Sequence, residues 1–299
     1  MRKFVAGSAI LALAISTTAH AAVFYEPFDY PTGPLHQSVN PGNNQKWYSS
    51  APSPTTATDD RVQVVTGGLS KDGLPASVGN SVTFGDAGRT DRIYFGTNRS
   101  SGSVYYSLLL NVTDLTDGAV GGATIAGFNN TPQTDANDDT AAQPTAISGR
   151  LILKPVGTTG YQVGAGKASG TASSFAFTPV ETPFALNENV LIVGRYTFNT
   201  GSTTDDVFDM WVNPSSATFA DNALEPAPTI SSTTLGDGGQ IATFILRQTD
   251  NVVPAGIQMD ELRVDTTWAH VTSNLVPEPA SLGVLGAAAM SLFIRRRRR

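Results

Sequence analysis

The sequence predicts an all-β domain, a β-sandwich, between two short terminal segments of different composition. Throughout residues 22–275, short runs rich in β-branched and aromatic residues are separated by turn-forming glycine, proline, asparagine and serine. No long stretch shows the 3.6-residue hydrophobic period of a helix. Residues of different character alternate in 106–111 and 207–212, as they do on the two faces of a strand.

About a dozen such runs without intervening helices favour a sandwich, in which each sheet buries one face. The polar stretches 44–58, 131–144 and 221–239 are expected to be loops. The expected strands cover 61–65, 81–84, 92–95, 104–112, 123–128, 147–153, 161–164, 174–177, 190–198, 207–212, 241–246 and 257–264.

The N-terminal segment has the pattern of a secretory signal peptide. Arg2 and Lys3 precede the apolar run 4–15, and a small-x-small cleavage site follows at Ala19 and Ala21. Signal peptidase is therefore an expected partner, and the mature chain is expected to begin at the next residue. The alternative is an N-terminal core helix.

The C-terminal segment has three parts. Pro277, Glu278 and Pro279 precede the apolar run 280–294. A helix of this run would be about 22 Å long at ~1.5 Å per residue, which is shorter than the ~30 Å hydrocarbon core of a bilayer. The chain then ends in a block of arginines. Such a block keeps its end of a membrane segment on the cytoplasmic side. This block consists of Arg295, Arg296, Arg297, Arg298 and Arg299.

The order of Pro-Glu-Pro, apolar run and arginine block resembles the PEP-CTERM sorting signal of exopolysaccharide-producing bacteria. The resemblance implies processing by an exosortase, with a short transmembrane helix as a transient inner-membrane anchor. The expected location is the cell envelope, the outer surface or the extracellular matrix. The alternatives are a buried helix or a basic tail for nucleic acid. The chain thus divides into a signal peptide at 1–21, a β-sandwich at 22–275 and a sorting segment at 276–299.

Composition limits what the central domain can do. The chain has no cysteine, which excludes disulfides and thiol chemistry. The two terminal segments hold seven of the 19 basic residues but one of the 25 acidic ones, so the domain keeps 12 basic and 24 acidic residues. Its net charge of about −12 disfavours nucleic acid and anionic membranes as partners.

Several segments of the domain are similar to concanavalin A-like, LamG-type jelly rolls found in PEP-CTERM proteins. They read FYEPFDY at 24–30, VGRYTF at 193–198, MWVNP at 210–214 and MDELRV at 259–264. The resemblance implies two antiparallel sheets with the first and last strands close together. Members of this fold bind glycans, hydrolyse them or are purely structural, so the fold does not decide the function.

No residue is predicted to be catalytic. Glycan hydrolysis needs two facing carboxylates ~5–9.5 Å apart. Glu26 and Asp29 have the wrong spacing to share one strand face, and the adjacent Asp260 and Glu261 would point to opposite faces of a regular strand. With Arg263, these last two acids are expected to form structural hydrogen bonds or an ion pair.

Two weaker site predictions remain. No cofactor is required, but calcium is an alternative at an Asp-x-Asn-x-Asp run formed by Asp135, Asn137 and Asp139, and at a second acidic cluster, Asp205 and Asp206 with Asp209. Aromatic rings can stack on sugars. The candidate glycan-binding residues are Trp47, Tyr48 and Trp211, the first two in an expected polar loop.

The sequence therefore predicts an exported, non-catalytic protein of the cell surface or the extracellular polysaccharide matrix, with weak glycan contact. The first alternative is a glycoside hydrolase or polysaccharide lyase of the jelly-roll class. The second is a purely structural or adhesive surface protein.

Overall fold

The computed structural model describes residues 24–50, 61–132, 142–249 and 252–273, which form two antiparallel β-sheets packed face to face. The predicted all-β jelly-roll sandwich is confirmed. The first strand pairs with the last, with Phe24 opposite Val264, so the ends of the domain meet in one sheet. The predicted signal peptide at 1–21 and the predicted transmembrane helix at 280–294 lie outside the described residues.

The described residues contain seventeen strands. In chain order they are β1 (Phe24–Glu26), β2 (Gly33–Pro34), β3 (Trp47–Ser50), β4 (Gln63–Val65), β5 (Ser81–Phe84), β6 (Thr90–Arg99), β7 (Gly102–Asp114), β8 (Ala123–Asn129), β9 (Ile147–Val156), β10 (Gly160–Gly166), β11 (Ala176–Phe177), β12 (Phe184–Ala185), β13 (Asn189–Phe198), β14 (Val207–Val212), β15 (Ile230–Ser232), β16 (Ile241–Leu246) and β17 (Gly256–Asp265).

The larger sheet has nine strands in the order β15-β14-β13-β7-β17-β5-β4-β2, with β1 also paired to β17. The smaller sheet has eight strands in the order β11-β10-β9-β8-β16-β6-β3, with β12 also paired to β10. Strands distant in the chain are neighbours in both sheets, so long connections cross between the two layers.

Helical structure in the described residues is limited to short turns. One α-helix, α1 (Trp268–Val271), follows the last strand, and 3-10 helices cover Ala172–Ser174, Ser216–Thr218 and Asn222–Leu224. Within the part of the chain that the structure describes, no helix has the length and apolar character needed to cross a membrane.

The core between the sheets is centred on aromatic side chains. The ring of Tyr106, on β7, lies 5.3 Å from those of Phe128 and Phe244 on the facing sheet. Gly194, on β13, makes room for this ring, since a Cβ there would come within 2.6 Å of it. All three aromatic rings are fully buried, so they contribute a large apolar area to stability.

A second hydrophobic cluster covers the outer face of the larger sheet. Residues of β7, β13 and β14 point outward there and pack under the segment between β4 and β5, the segment after β14, and α1. The rings of Trp211 and Trp268 meet in this cluster at 5.1 Å. The larger sheet is therefore covered by protein on both faces.

Four short strands were not predicted from the sequence. The strand β3 lies in the expected loop 44–58, and β15 lies in the expected connection 221–239. The two-residue strands β2 and β12 were also missed. The expected strand 174–177 is a 3-10 turn followed by the two residues of β11. All of these lie at or near sheet edges, where pairing with a neighbour, not a repeating pattern, defines the strand.

Candidate functional site

The structure buries two of the three predicted glycan-binding residues. Trp47 is fully buried on β3, where its indole Nε1 donates a 2.8 Å hydrogen bond to Glu26 Oε2. Trp211 is 1% exposed, and its Nε1 donates to the backbone oxygen of Pro226. Neither ring offers a face to a sugar, which corrects the expectation for both. Only Tyr48 remains partly exposed, on the opposite side of β3.

Trp47 is buried because it belongs to a polar node around Glu26. This fully buried carboxylate also accepts hydrogen bonds from Tyr30 Oη at 2.7 Å, Asn40 Nδ2 at 3.1 Å and the Phe28 amide at 2.9 Å. Burial raises the pKa of Glu26, and the four donors oppose that rise. The opening FYEPFDY segment therefore has a structural role.

The acids of β17 share a second structural node. Glu261 has a left-handed φ of 53°, and the pairing register of β17 shifts between Asp260 and Arg263. This bulge brings two adjacent carboxylates to one side, where Asp260 accepts from the Leu69 amide and Glu261 from the Val78 amide. The expectation that these acids point to opposite faces is therefore wrong.

The expected ion pair in this node is confirmed, with 2.7 Å between Arg263 Nη2 and Glu261 Oε2. Tyr25 donates its hydroxyl to the same carboxylate at 3.0 Å. Burial, together with the negative charge of Glu261, raises the pKa of Asp260 to about 7. Both carboxylates therefore accept hydrogen bonds from the segment between β4 and β5, and their role is structural.

The predicted acidic cluster forms with a different third member. Carboxylate oxygens of Asp205, Asp206 and Asp237 lie within 4.8 Å of one another. Asp209, which the sequence placed in this group, instead pairs with Arg195 at 2.5 Å. The Asp135, Asn137 and Asp139 run lies outside the described residues.

The Asp205–Asp206–Asp237 cluster already contains a cation. The ammonium of the fully buried Lys167 lies 2.8 Å from Asp237 Oδ1. The carboxylate oxygens accept hydrogen bonds from backbone amides, from this lysine or from Tyr196. The exception is Asp205 Oδ1, which has no hydrogen-bond partner among the described residues. Calcium takes six to eight oxygens. Three carboxylates that already contact a lysine and backbone amides fit an ion pair better than a calcium site. Calcium binding at this cluster stays a prediction.

The outer face of the smaller sheet carries an open pocket of about 250 Å³. Arg150, on β9, alternates with the core residues Leu151 and Leu153, so its side chain lies on the outward face. Thr124 on β8 lies beside it, and Arg247 follows directly after β16. The pocket thus lies where β8, β9 and β16 are neighbours in the sheet.

The two arginines bring positive charge to the pocket. Arg150 is 6% exposed, and its guanidinium donates to the Ile147 carbonyl and to the hydroxyls of Thr124 and Ser169. Burial and the nearby charge of Arg247 lower the pKa of Arg150 to about 10. The side chain is held in place by neutral acceptors.

An apolar wall completes the pocket. The half-buried ring of Phe175 lies against Gly166 of β10, where a Cβ would approach the ring to 2.8 Å. Thr249, Val252 and Ala119 lie on other sides of the opening. A pocket with apolar walls and a few fixed polar groups is the usual form of a small-molecule site.

None of the pocket residues was predicted from the sequence. A lone arginine in an apolar strand was one available signal, since Arg150 interrupts the run Ile147–Leu153 of an acidic domain. Arg247 and Phe175 line the same pocket as Arg150, although both are far from it in the sequence. Their proximity depends on the pairing of β8 with β9 and β16, which the sequence does not reveal.

A comparison with protein families finds a PEP-CTERM protein-sorting motif at residues 275–299. This motif is a signal for exosortase-type processing, and it indicates export to the cell envelope or surface. The motif covers the C-terminal segment and leaves the family of the β-sandwich undefined. No curated protein matches the chain.

Solved structures with a similar arrangement include jelly-roll proteins that act on polysaccharides. An endo-β-1,4-glucuronan lyase from Trichoderma reesei is 11% identical, with 75% of this chain and 96% of the other covered at a TM-score of 0.41. Domain 4 of an extracellular GH43 arabinanase from Geobacillus stearothermophilus is 14% identical, with 80% and 93% covered at 0.41. A PL-14 alginate lyase from Aplysia kurodai is 11% identical, with 73% and 97% covered at 0.41. Similarity at this level transfers neither substrate nor reaction to this chain.

Proposed function

We propose that this chain is an exported, non-catalytic protein that binds polysaccharide at the cell surface or in the extracellular matrix. The signal peptide at 1–21 directs export, and a C-terminal helix anchors the chain transiently in the inner membrane until exosortase processes it. The sandwich of 22–275 is then the mature working domain. The sorting motif at 275–299 supports this route.

The observation that carries the proposal is the difference between the two outer faces. The larger sheet is covered by the second hydrophobic cluster, whereas the smaller sheet has an open pocket with a phenylalanine ring, two hydroxyls and two guanidinium groups. A sugar needs such a combination, because its CH groups pack on a ring while its hydroxyls need polar partners.

The composition of the pocket favours binding over catalysis. Among the described residues that line it, none is a carboxylate, histidine, lysine or tyrosine, the groups that most often transfer protons in glycan cleavage. The buried acids Glu26, Asp260 and Glu261 are engaged in structural nodes elsewhere. This supports the non-catalytic reading over a hydrolase or lyase.

A glycan array tests the proposal directly. The full chain in mild detergent is applied with calcium and, separately, with a chelator, and each glycan that binds is assayed for released reducing ends or unsaturated products. We expect binding to at least one extracellular polysaccharide and no product. Binding to no glycan would favour a purely structural or adhesive protein, and product release would favour the enzyme.

A pair of variants locates the binding surface. Phe175→Ala removes the ring of the pocket and should weaken binding about tenfold, the effect of losing ~1.4 kcal/mol. Leu224→Ala removes an exposed apolar side chain that does not line the pocket and should leave binding unchanged. Equal loss in both variants would contradict the assignment to the smaller sheet.

A further inference from the structure

The pocket on the smaller sheet contains a buried cation that no carboxylate of the described residues neutralises. Arg150 is 6% exposed, yet its hydrogen bonds go to a carbonyl and two hydroxyls. Of the described residues, none forms an ion pair with it. A buried guanidinium without a carboxylate is costly, because its charge has lost water without gaining an anion.

Three other buried or half-buried cations of the described residues have carboxylate partners. Lys167 contacts Asp237, Arg263 contacts Glu261, and Arg195 contacts both Asp209 and Glu225. The domain has twice as many acidic as basic residues, so carboxylates are abundant in it. Even so, none of the described ones contacts Arg150. The lack of a carboxylate among its described hydrogen-bond partners therefore distinguishes Arg150 from these three cations.

Arg150 also retains donors for a ligand. A guanidinium has five N–H groups, and the three hydrogen bonds of Arg150 use one on each nitrogen. One N–H remains on each terminal nitrogen, and each can donate to an oxygen of a carboxylate or sulfate. Arg247 adds a second positive charge at the same pocket.

We infer that this pocket recognises the acidic group of a saccharide, a carboxylate or sulfate, through Arg150 and Arg247, with the sugar ring against Phe175. The inference rests on the proposed function and specifies its ligand class. The volume of about 250 Å³ is below the ~300–1,000 Å³ of pockets for drug-sized ligands, so it suits a single sugar unit. Because the domain carries a net charge of about −12, its long-range field favours isolated acidic groups over dense polyanions.

The test compares two disaccharides that differ in one group. Cellobiouronic acid and cellobiose share a skeleton, and only the former has a carboxylate. Calorimetric titration of the full chain in detergent should show binding of cellobiouronic acid that is at least about tenfold tighter than that of cellobiose, the effect expected of one charge-assisted hydrogen bond. Inorganic sulfate, used as a third probe, should compete with the acid.

Two variants link the preference to the pocket. Arg150→Gln and Arg247→Gln should each weaken cellobiouronic acid binding at least about tenfold, with little effect on cellobiose. Arg99→Gln removes the same charge from a position outside the pocket and should change neither affinity. The second pocket variant keeps the test decisive if Arg150→Gln does not fold, which circular dichroism would show.

The outcomes separate this inference from the proposed function. Equal affinity for both disaccharides, or a preference that both pocket variants retain, would overturn the inference while glycan binding itself stands. Failure to bind the acid would also overturn it, and sulfate binding without the acid would overturn the saccharide assignment. A glycan array with no binding at all would overturn the proposed function as well.

Discussion

At the residue scale, the domain places several polar groups in its interior, and their partners decide what each one does. Glu26 accepts a hydrogen bond from Trp47 and Asp260 accepts one from the Leu69 amide, so each carboxylate links two separate segments of the chain. The Tyr106 hydroxyl, in contrast, is buried without a partner among the described residues. These groups therefore differ in how much stability they contribute.

Replacing Tyr106 with phenylalanine should leave the free energy of unfolding unchanged or raise it by up to about 2 kcal/mol, because a buried, unpaired hydroxyl is removed and the ring stays. Tyr196→Phe is the matched control, since that hydroxyl donates to Asp206 Oδ2 and accepts from the Gly238 amide. The control should lose about 1–3 kcal/mol in urea unfolding. A larger loss for Tyr106→Phe than for Tyr196→Phe would contradict this assignment.

Asp260 should make stability depend on pH. Its pKa is raised to about 7 in the folded domain, mainly by burial, and is ~3.9 in an unfolded chain. The folded state then binds the extra proton, so the contribution is fully present below about pH 4 and is lost as the pH rises through about 7. One proton gives a slope of at most about −1.4 kcal/mol per pH unit.

The Asp260→Asn variant isolates this group from other titrating residues. The difference in unfolding free energy between wild type and variant should change between about pH 4 and pH 7 and be flat below that range. Urea unfolding at several pH values measures it. A difference that does not depend on pH would show that the Asp260 carboxyl keeps an ordinary pKa.

At the element scale, the long central strands could be predicted, and the short edge strands could not. The expected strand 104–112 corresponds to β7 (Gly102–Asp114), and the expected strand 190–198 corresponds to β13 (Asn189–Phe198). Both were predictable because core residues alternate along them. Trp47 was assigned to a loop, since its burial depends on Glu26 at a distance of 21 residues. Arg150 was missed for the same reason, because non-local pairing creates its pocket.

Close packing within the strands gives a third prediction. Gly194 lies on β13 under the ring of Tyr106, and a Cβ would approach that ring to 2.6 Å. Gly194→Ala should therefore cost about 1–3 kcal/mol of stability, because neither the ring nor the backbone can move freely in a packed core. Gly236→Ala, where a Cβ meets nothing within 4 Å, is the control for thermal unfolding. Equal effects would show that the core yields at Gly194.

At the scale of the whole molecule, the chain combines an acidic β-sandwich with a C-terminal sorting motif at residues 275–299. The sorting motif was predictable from sequence because its order of Pro-Glu-Pro, apolar run and arginines is local. The pocket on the smaller sheet was not predictable, because the pairing of β8 with β9 and β16 brings its residues together.

Deleting residues 277–299 should separate transport from folding. The truncated chain should keep the far-ultraviolet circular dichroism of a β-sandwich, because the described core ends at residue 273. It should also escape exosortase-type processing, so cell fractionation should find it in a different envelope or culture fraction from the full chain. Loss of the fold on truncation would mean that the C-terminal segment belongs to the domain.

The central claim is that the outer face of the smaller sheet binds polysaccharide. Hydrogen–deuterium exchange of the full chain, with and without a glycan identified on the array, tests it most directly. We predict slower exchange on glycan addition in β8, β9 and residues 247–249, which surround the pocket, and no change on the larger sheet. Protection confined to the larger sheet, or no protection in the presence of saturating glycan, would contradict the claim.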